Sequence, residues 1–157
     1  MKKVLRIMRK EVRDYPLPSY GVAYKVSNRA DYKAYCRIYL DVFGHTLKRR
    51  LALWLLKKEI YKRCYVWYTD DGRMAGIYAL IQDEKRRVTP DVNFRLLCNV
   101  AIVKEYQGQG LSKYLLNSAL HTAYNLGCEE VILDVALDNQ EAVNLYTSFG
   151  FEFVETV

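Results

Sequence analysis

The spacing of apolar residues along the chain alternates between the period of a helix and the period of a strand. Helical spacing, with apolar positions three and four apart, marks residues 29–44, 46–63, 111–127 and 138–150. Apolar runs of strand length lie at 22–28, 65–82, 95–103, 129–137 and 151–157. The pair Asp71-Gly72 interrupts the second of these runs, which predicts a hairpin. The predicted order is therefore β-α-α-β-β-β-α-β-α-β.

The strand at 95–103, the turn and helix after it, and the strand at 129–137 predict a right-handed βαβ unit with parallel strands, and so a mixed α/β fold. Two of the helices are expected to bury an apolar stripe. In the helix 46–63 the stripe is Leu47, Leu51, Trp54, Leu55 and Ile60. In the helix 111–127 it is Leu111, Leu115, Ala119 and Ala123, with Gly127 at the end.

Length and composition suit a single globular domain spanning residues 1–157. Hydrophobic residues make up 51% and charged residues 27%, which argues against disorder. The segment "DYPLPSYG" at 14–21 contains two prolines and a glycine, so residues 1–20 are expected to form a basic N-terminal arm. The net charge of +6 favours anionic partners or simply aids solubility.

The cysteines carry no metal or disulfide pattern. The chain has 4 of them, widely spaced in apolar surroundings, and only 2 histidines. They are expected to be buried thiols in a reducing compartment, without a metal. We find no signal peptide and no apolar stretch of membrane-spanning length, so we expect a cytoplasmic protein with no membrane partner.

The segment "EYQGQGLSKYLL" at 105–116 opens a helix with two glycines and no acidic residue in its first turn. A strand, a glycine turn and a helix start together bind anions, because backbone N–H groups converge there. The spacing fits neither a P-loop nor a dinucleotide-binding turn well, and a plain turn would need only one glycine. The residues alone favour anion binding over a plain turn.

Two motifs in this half of the chain resemble signatures of the GNAT N-acetyltransferases. "AIVKEYQGQGLSKYLL" is similar to the Gln/Arg-x-x-Gly-x-Gly/Ala segment that holds the pyrophosphate of acetyl-CoA, with Ser112 at the final small position. "LDVALDNQEAVNLYTSFGF" resembles the second signature through Asn139, Ala142, Leu145, Tyr146, Gly150 and Phe151. The resemblance covers residues 96–153, which it identifies as an acetyl-CoA-binding core.

The resemblance implies a GNAT fold: a mixed, mostly antiparallel central sheet with a parallel βαβ unit at the acetyl-CoA site and helices on both faces. It also implies which residues bind acetyl-CoA. These are Ala101, Ile102, Val103, Gln107, Gly108, Gln109, Gly110, Leu111, Ser112, Asn139 and Tyr146.

The resemblance implies further roles for two of these residues, and each has a structural alternative. Tyr146 matches the tyrosine that protonates the leaving thiolate, although spacing alone would make it a core residue in the stripe of Ala142 and Phe149. Asn139 matches a residue that hydrogen-bonds the pantetheine arm. In the alternative, Asp138 and Glu141 form a capping box and Asn139 lies just inside the helix.

Asp134 is the polar exception in the apolar strand 129–137. An ionised carboxylate there would be costly unless it were paired or hydrated. Bacterial enzymes that acetylate the N-terminus of ribosomal proteins carry a catalytic Glu in a similar strand, five residues before their Asn, as Asp134 precedes Asn139. Asp134 is therefore the candidate general base. The alternative is a structural carboxylate that accepts hydrogen bonds from backbone or from a tyrosine.

The acceptor site is poorly determined by the sequence. The resemblance places His45, Trp54, Trp67 and Tyr78 near it, while Asn99 matches the ribosomal-protein enzymes. The cations between Lys48 and Arg63 could attract RNA or an acidic substrate, or could form a solvated helix face.

The resemblance implies an acetyl-CoA-dependent N-acetyltransferase that acts on a primary amine of a small molecule or a protein N-terminus. The alternative is a non-catalytic acyl-CoA-binding module with a regulatory or RNA-facing role. Nucleic acid is the less favoured partner, and the chain could form a homodimer. Family members commonly have one more strand after the position of "FEF". Either the sheet is short of that strand, or "KKVLRIM" supplies one in cis or from a partner.

Overall fold

The computed structural model describes residues 4–155. Its elements follow the predicted order, except that one strand is added at the N-terminal end and the second predicted helix is divided in two. The strands are β1 (Leu5–Glu11), β2 (Val22–Lys25), β3 (Cys64–Tyr68), β4 (Met74–Ile81), β5 (Phe94–Ile102), β6 (Glu130–Ala136) and β7 (Glu152–Phe153). The helices are α1 (Arg29–Phe43), α2 (Leu47–Leu55), α3 (Lys57–Arg63), α4 (Ser112–Asn125) and α5 (Gln140–Ser148). Short 3-10 turns lie at Glu84–Arg86 and Lys104–Tyr106.

Within residues 4–155 the strands form one sheet of seven in the order β2-β3-β4-β5-β6-β1-β7. The strands β5 and β6 are parallel, and every other pair of neighbours is antiparallel. This confirms the mixed α/β fold and the βαβ unit. The Asp71-Gly72 hairpin is confirmed as well, because it joins β3 to β4 and Gly72 takes a φ of +83°, which suits glycine.

The N-terminal segment is part of the sheet. Strand β1 lies between β6 and β7 and pairs Leu5 to Glu11 with Ala136 to Glu130. Met8 and Val12 are almost completely buried. The expectation of a basic arm is therefore wrong for residues 5–11, and the other alternative, a strand supplied in cis, describes them. Basic residues suggest a solvated arm, but Arg9 instead bonds the buried carboxylate of Glu130 at 2.6 Å.

Each face of the sheet carries its own layer of helices. Alternate residues of β3 point to opposite faces, so that Trp67 packs in a cluster with α4 and Val66 in a cluster with α1, α2 and α3. The stripe predicted for α4 is confirmed at Leu115, Ala119 and Ala123, which are at most 1% exposed. Helices on both faces of the sheet agree with the fold that the motifs imply.

The second predicted helix differs from its prediction in two respects. It breaks at Leu56, which takes φ −96° and ψ +17°, into α2 and α3. The stripe expected to face the core is also turned outward, since Leu47, Leu51, Trp54 and Leu55 are 49–74% exposed. Instead α2 is anchored by Leu53, which lies on the opposite side of the helix, while Ile60 of α3 is buried as expected. A helix with one apolar stripe need not present that stripe to its own core.

No helix in the described part of the chain is long and apolar enough to span a bilayer.

Candidate active site

The two parallel strands β5 and β6 separate partway along their length. They pair only from Phe94 to Leu96, opposite Glu130 to Ile132. Beyond that point β6 continues beside β1 as far as Ala136, and β5 continues beside β4 as far as Ile102. Within residues 4–155 no strand pairs with the β6 side of β5 after Leu96. The backbone groups on that edge are therefore available to a ligand that lies between the two strands.

A bulge in β5 lies at the start of this unpaired stretch. The register between β4 and β5 shifts between Ile77 and Ala79, and Asn99 adopts a φ of +55°, which is uncommon for a residue other than glycine. The Asn99 side chain donates from Nδ2 to the Tyr35 hydroxyl at 3.2 Å. Burial raises the pKa of Tyr35 well above 10, so its hydroxyl stays protonated. The bulge breaks the strand's alternation and turns Asn99 toward the α1 side of the sheet.

The glycine turn follows β5 and is sterically open. Gly108 and Gly110 have φ values of +76° and +73°, and a Cβ atom on either would meet no atom within 4 Å. The glycines are thus required by the backbone conformation, and the space above them is free. Gln107 donates from Nε2 to the carbonyl of Ile102 at 2.9 Å, and Gln109 to the carbonyl of Glu105 at 3.2 Å. Both glutamine side chains therefore bond backbone near the end of β5.

The start of α4 lacks the groups that normally satisfy a helix N-terminus. Its cap residue is Leu111, which makes no side-chain hydrogen bond to the helix, and its first turn contains no acidic residue. The first N–H groups of a helix have no partner within it and carry a partial positive charge. Together with the open glycines, this end of α4 is suited to bind an anion, as the sequence predicts.

Tyr146 lies on α5 with a packed ring. The ring stands edge-on to Phe151 at 5.7 Å between centroids and belongs to the partly buried layer with Ala142 and Phe149. Burial raises the pKa of Tyr146 above 10, and no hydrogen bond from residues 4–155 contributes to that shift. The side chain therefore packs as a core tyrosine does and still retains a protonated hydroxyl, which has no hydrogen-bond partner among the described residues.

Asn139 is itself the cap of α5. Its Oδ1 accepts a hydrogen bond from the backbone N–H of Ala142 at 3.2 Å. The alternative in which Asp138 caps the helix and Asn139 lies just inside it is therefore wrong. An Asn cap uses only the side-chain oxygen, so the Nδ2 group can still donate to a ligand.

Asp134 is exposed and paired. It forms an ion pair with Arg86, from the 3-10 turn after β4, and the two side chains are 35% and 31% exposed. The burial that the apolar strand suggested is absent, and the alternative of bonds to backbone or to a tyrosine is wrong. No sequence signal identified Arg86, because the ion pair joins residues 48 positions apart. Burial raises the pKa of the Cys98 thiol to about 12, with smaller contributions from Cys64 and from the charge of Asp134.

Two of the expected acceptor-site residues belong to the core on the opposite face of the sheet. Trp67 and Tyr78 are fully buried against α4. The Trp67 Nε1 group donates to the Ser118 hydroxyl at 3.1 Å, and the Tyr78 hydroxyl bonds that of Thr122 at 2.7 Å. A buried indole and a buried phenol each need a partner, and α4 supplies both. The expectation that these two residues lie near the acceptor is therefore wrong.

The other two expected residues are exposed. His45 bonds the carboxylate of Asp41 at 2.7 Å, and Trp54 is 69% exposed on α2. The α1 side of the sheet contains two cavities in the part of the chain that is described. One of about 480 Å³ lies between α1 and the ends of β4 and β5, where Arg37, Met74 and Tyr106 line it. The other, of about 120 Å³, lies beneath α2 and α3.

The structure thus brings together the unpaired edge of β5, the glycine turn, the start of α4, and the capped start of α5. Within residues 4–155 it contains no group of three or more His, Cys, Asp or Glu placed to hold a metal ion.

Comparisons with known proteins agree with this arrangement. The model of the Acetyltransferase (GNAT) family matches residues 29–151. N-alpha-acetyltransferase 30 of Schizosaccharomyces pombe is 35% identical over 82 residues, 52% of this chain and 53% of that protein. A probable spermine N(1)-acetyltransferase of Bacillus subtilis subsp. natto is 40% identical over 53 residues, 33% of this chain and 35% of that protein. The chain spans about half the length, or less, of these curated relatives.

The fold is also shared with solved structures. A GCN5-related N-acetyltransferase from Sphaerobacter thermophilus superposes with a TM-score of 0.70 at 18% identity, over 97% of this chain and 49% of that one.

Proposed function

Because the chain belongs to the acetyltransferase (GNAT) family, we propose that it transfers an acetyl group from acetyl-CoA to a primary amine. The observation that carries the proposal is the gap between β5 and β6, which leads directly to an open glycine turn and an uncapped helix start. When bound, acetyl-CoA would supply the acetyl group as an activated thioester. The remaining requirements are binding, orientation and proton transfer, and residues of this chain can meet them.

The binding role falls to the turn and the unpaired strand. The backbone N–H groups of Gly108, Gln109, Gly110, Leu111 and Ser112 would hold the pyrophosphate, because they lie at the positive end of α4 and no side chain fills the space above the glycines. The backbone of Ala101 and Ile102 on the unpaired edge of β5 would hydrogen-bond the pantetheine amides, as would Nδ2 of Asn139. Val103 would not, because its N–H donates to the Ala75 carbonyl at 2.8 Å and its carbonyl accepts from the Tyr106 N–H at 2.9 Å. Gln107 would support the site indirectly by bonding the carbonyl of Ile102.

Tyr146 would donate the proton that the departing thiolate needs. A general acid must carry a proton at neutral pH and must have it free to give. The burial of Tyr146 raises its pKa above 10, and its hydroxyl is not committed to another group of the described chain. These two properties, in addition to the motif, support the assignment of Tyr146 as the general acid.

Asp134 would accept a proton from the attacking amine, directly or through a water molecule. Its Oδ1 atom is held by Arg86, which fixes the orientation of the carboxylate. Its Oδ2 atom makes no hydrogen bond within residues 4–155 and is the atom available to the amine. Partial exposure also gives the accepted proton a route to solvent.

The proposal also includes the bounds of the domain and the cellular compartment. We propose one domain over residues 1–157 with its acetyl-CoA core at 96–153. The expectation of a cytoplasmic protein rests on the cysteines, all four of which are free.

An assay of thiol release from acetyl-CoA tests the proposal. The acceptors are alkylamines, peptides with a free or a blocked α-amino group, and tRNA. We expect turnover well above background hydrolysis with at least one free primary amine and none with the blocked peptides. Binding of acetyl-CoA without thiol release for any acceptor would favour the non-catalytic module.

The pH dependence of kcat/KM tests the assignment of Asp134. Asp134→Asn removes the carboxylate at nearly constant shape, so we expect lower activity and a displaced acidic limb of the profile. Asp138→Asn removes an exposed carboxylate four residues later and is the control, for which we expect the wild-type profile. An unchanged acidic limb in Asp134→Asn would show that Asp134 is not the base.

A further inference from the structure

The smaller cavity on the α1 side of the sheet has mostly apolar walls. It measures about 120 Å³ and lies between α1, α2, α3 and the strands β4 and β5. Tyr35, Leu53, Ile60 and Ala79 in its wall are at most 9% exposed. An apolar cavity of about 150 Å³ is large enough to hold benzene, so this smaller cavity suits a smaller apolar group such as a branched alkyl group. Its walls favour such a group over a hydrated one.

The cavity reaches the stretch of β5 where we propose that acetyl transfer occurs. Asn99 forms part of its wall and lies at the bulge, on the half of β5 that β6 does not pair. Asn99 lies three residues beyond Leu96, and the candidate base Asp134 lies two residues beyond Ile132, the residue that pairs with Leu96. A substituent in the cavity would therefore belong to a molecule whose reacting group lies beside β5.

Asn99 can also orient that molecule. Its Nδ2 group donates to the Tyr35 hydroxyl, which leaves the Oδ1 atom without a hydrogen bond among the described residues. A carboxamide oxygen accepts hydrogen bonds and therefore suits the N–H of an amine. The cavity thus offers one hydrogen-bond acceptor for the N–H of the amine and an apolar volume for the amine's substituent.

The charges around the cavity disfavour a polyamine. Among the described residues that line it, Glu59 is the one carboxylate, and it is bonded to Arg63 at 2.7 Å. Arg49 also lines the cavity, and the chain carries a net charge of +6. A second ammonium group would meet cations, which repel it, and would find no free carboxylate in the described wall.

We infer that this cavity is the subsite for the acceptor's substituent, and that the acceptor is a primary amine carrying a branched alkyl group. The inference rests on the proposed acetyl transfer. It separates this chain from a polyamine acetyltransferase, although a spermine acetyltransferase is among its relatives. Ala79 and Ala52 line the cavity and have the smallest side chains there, so substitution at either would reduce its volume.

The experiment compares kcat/KM for isoamylamine, ethylamine and spermidine. The two alkylamines have similar basicity and differ by three carbon atoms. Burial of those carbons predicts a preference for isoamylamine of roughly 50-fold. Spermidine should be a poorer acceptor than isoamylamine. Ala79→Leu fills the cavity and should reduce the isoamylamine-to-ethylamine ratio to about threefold or less, since the longer chain loses its apolar contact.

Two further variants keep the result interpretable. Ala52→Phe fills the cavity from the exposed side of α2, and it decides the question if thermal unfolding shows that Ala79→Leu does not fold. Ala30→Leu enlarges an exposed alanine of α1 that does not line the cavity, so the wild-type ratio should persist.

Each outcome bears on the inference. Turnover of ethylamine and isoamylamine at similar kcat/KM, a preference for spermidine, or a ratio unchanged in both filled variants would overturn the subsite while leaving acetyl transfer intact. No turnover with any amine would overturn the proposed function and the inference with it.

Discussion

Two strand-to-helix turns lie side by side at the same edge of the sheet, and they are built in opposite ways. The turn from β6 to α5 ends in Asn139, whose side chain caps the helix, and Glu141 adds an acid to the first turn. The turn from β5 to α4 contains two glycines and ends in Leu111, with no cap and no acid. Both follow parallel strands, although the turn before α5 spans residues 137–139 and the turn before α4 spans residues 103–111.

The difference between the two turns indicates that they have different functions. A missing cap costs a helix about 0.5–2 kcal/mol, which a bound anion can offset. The N-terminus of α4 therefore lacks a cap unless an anion binds there, whereas the N-terminus of α5 is capped by its own residues. We expect the first turn to bind the phosphates of acetyl-CoA and the second to hold Tyr146 in position for chemistry.

The largest effect is expected from Gly110→Glu. The substitution places a carboxylate where the phosphates would bind and a side chain at a φ of +73°. Like charges brought together cost several kcal/mol, so the affinity for acetyl-CoA should fall by about 10³-fold, as measured by calorimetry.

Gly72→Glu is the matched control for Gly110→Glu. Gly72 has a φ of +83° and equally open surroundings, but it lies in the hairpin between β3 and β4. The two variants should lose similar stability, and only Gly110→Glu should lose affinity. Equal affinity in both would remove the phosphate site from this turn.

A smaller effect, and a different one, is expected from Tyr146→Phe. The ring's packing against Phe151 survives, so the affinity for acetyl-CoA should change little. The proton donor is lost, so kcat should fall by about 10²-fold. Burial raises the pKa of Tyr146 in the wild type, so kcat should also fall at strongly alkaline pH, where the phenol loses its proton. This alkaline limb should be missing in Tyr146→Phe, and full activity in the variant would refute the general-acid role.

The smallest effect is expected from adding an acid to a helix start. Ser112→Asp supplies α4 with the charge that its exposed first residue lacks, which should raise its stability by about 0.3–1 kcal/mol. The same charge should weaken acetyl-CoA binding by roughly tenfold through repulsion of the phosphates. Ala30→Asp at the exposed start of α1 is the control, with no loss of affinity expected. Tighter binding in Ser112→Asp would contradict the comparison of the two turns.

Most of the sheet and its helices could be predicted because they depend on local patterns. The Asp71-Gly72 hairpin, the βαβ unit and the buried stripe of α4 all follow from spacing and turn chemistry within short segments. The glycine turn was recognisable for the same reason. Its positive φ angles and absent cap are consequences of residues that are adjacent in the chain.

The errors concern pairings between distant segments. The cations of strand β1 obscure it in the sequence, because the partner of Arg9 is the distant Glu130. The role of Arg86 beside Asp134 could not be read from either segment alone. Trp67 and Tyr78 are expected near the acceptor but pack against α4, because the helix layer that covers each face of a strand is set by distant segments. The outward stripe of α2 shows that periodicity identifies a helix face without identifying what covers it.

Hydrogen–deuterium exchange with and without acetyl-CoA tests the central claim most directly, because it reports on the backbone N–H groups at the start of α4. We predict slower exchange on saturation at residues 108–113 and along 97–103, with the first turn of α1 at 29–32 unchanged. Saturation by acetyl-CoA with unchanged exchange at residues 108–113 would contradict the claim that the uncapped start of α4 binds its phosphates.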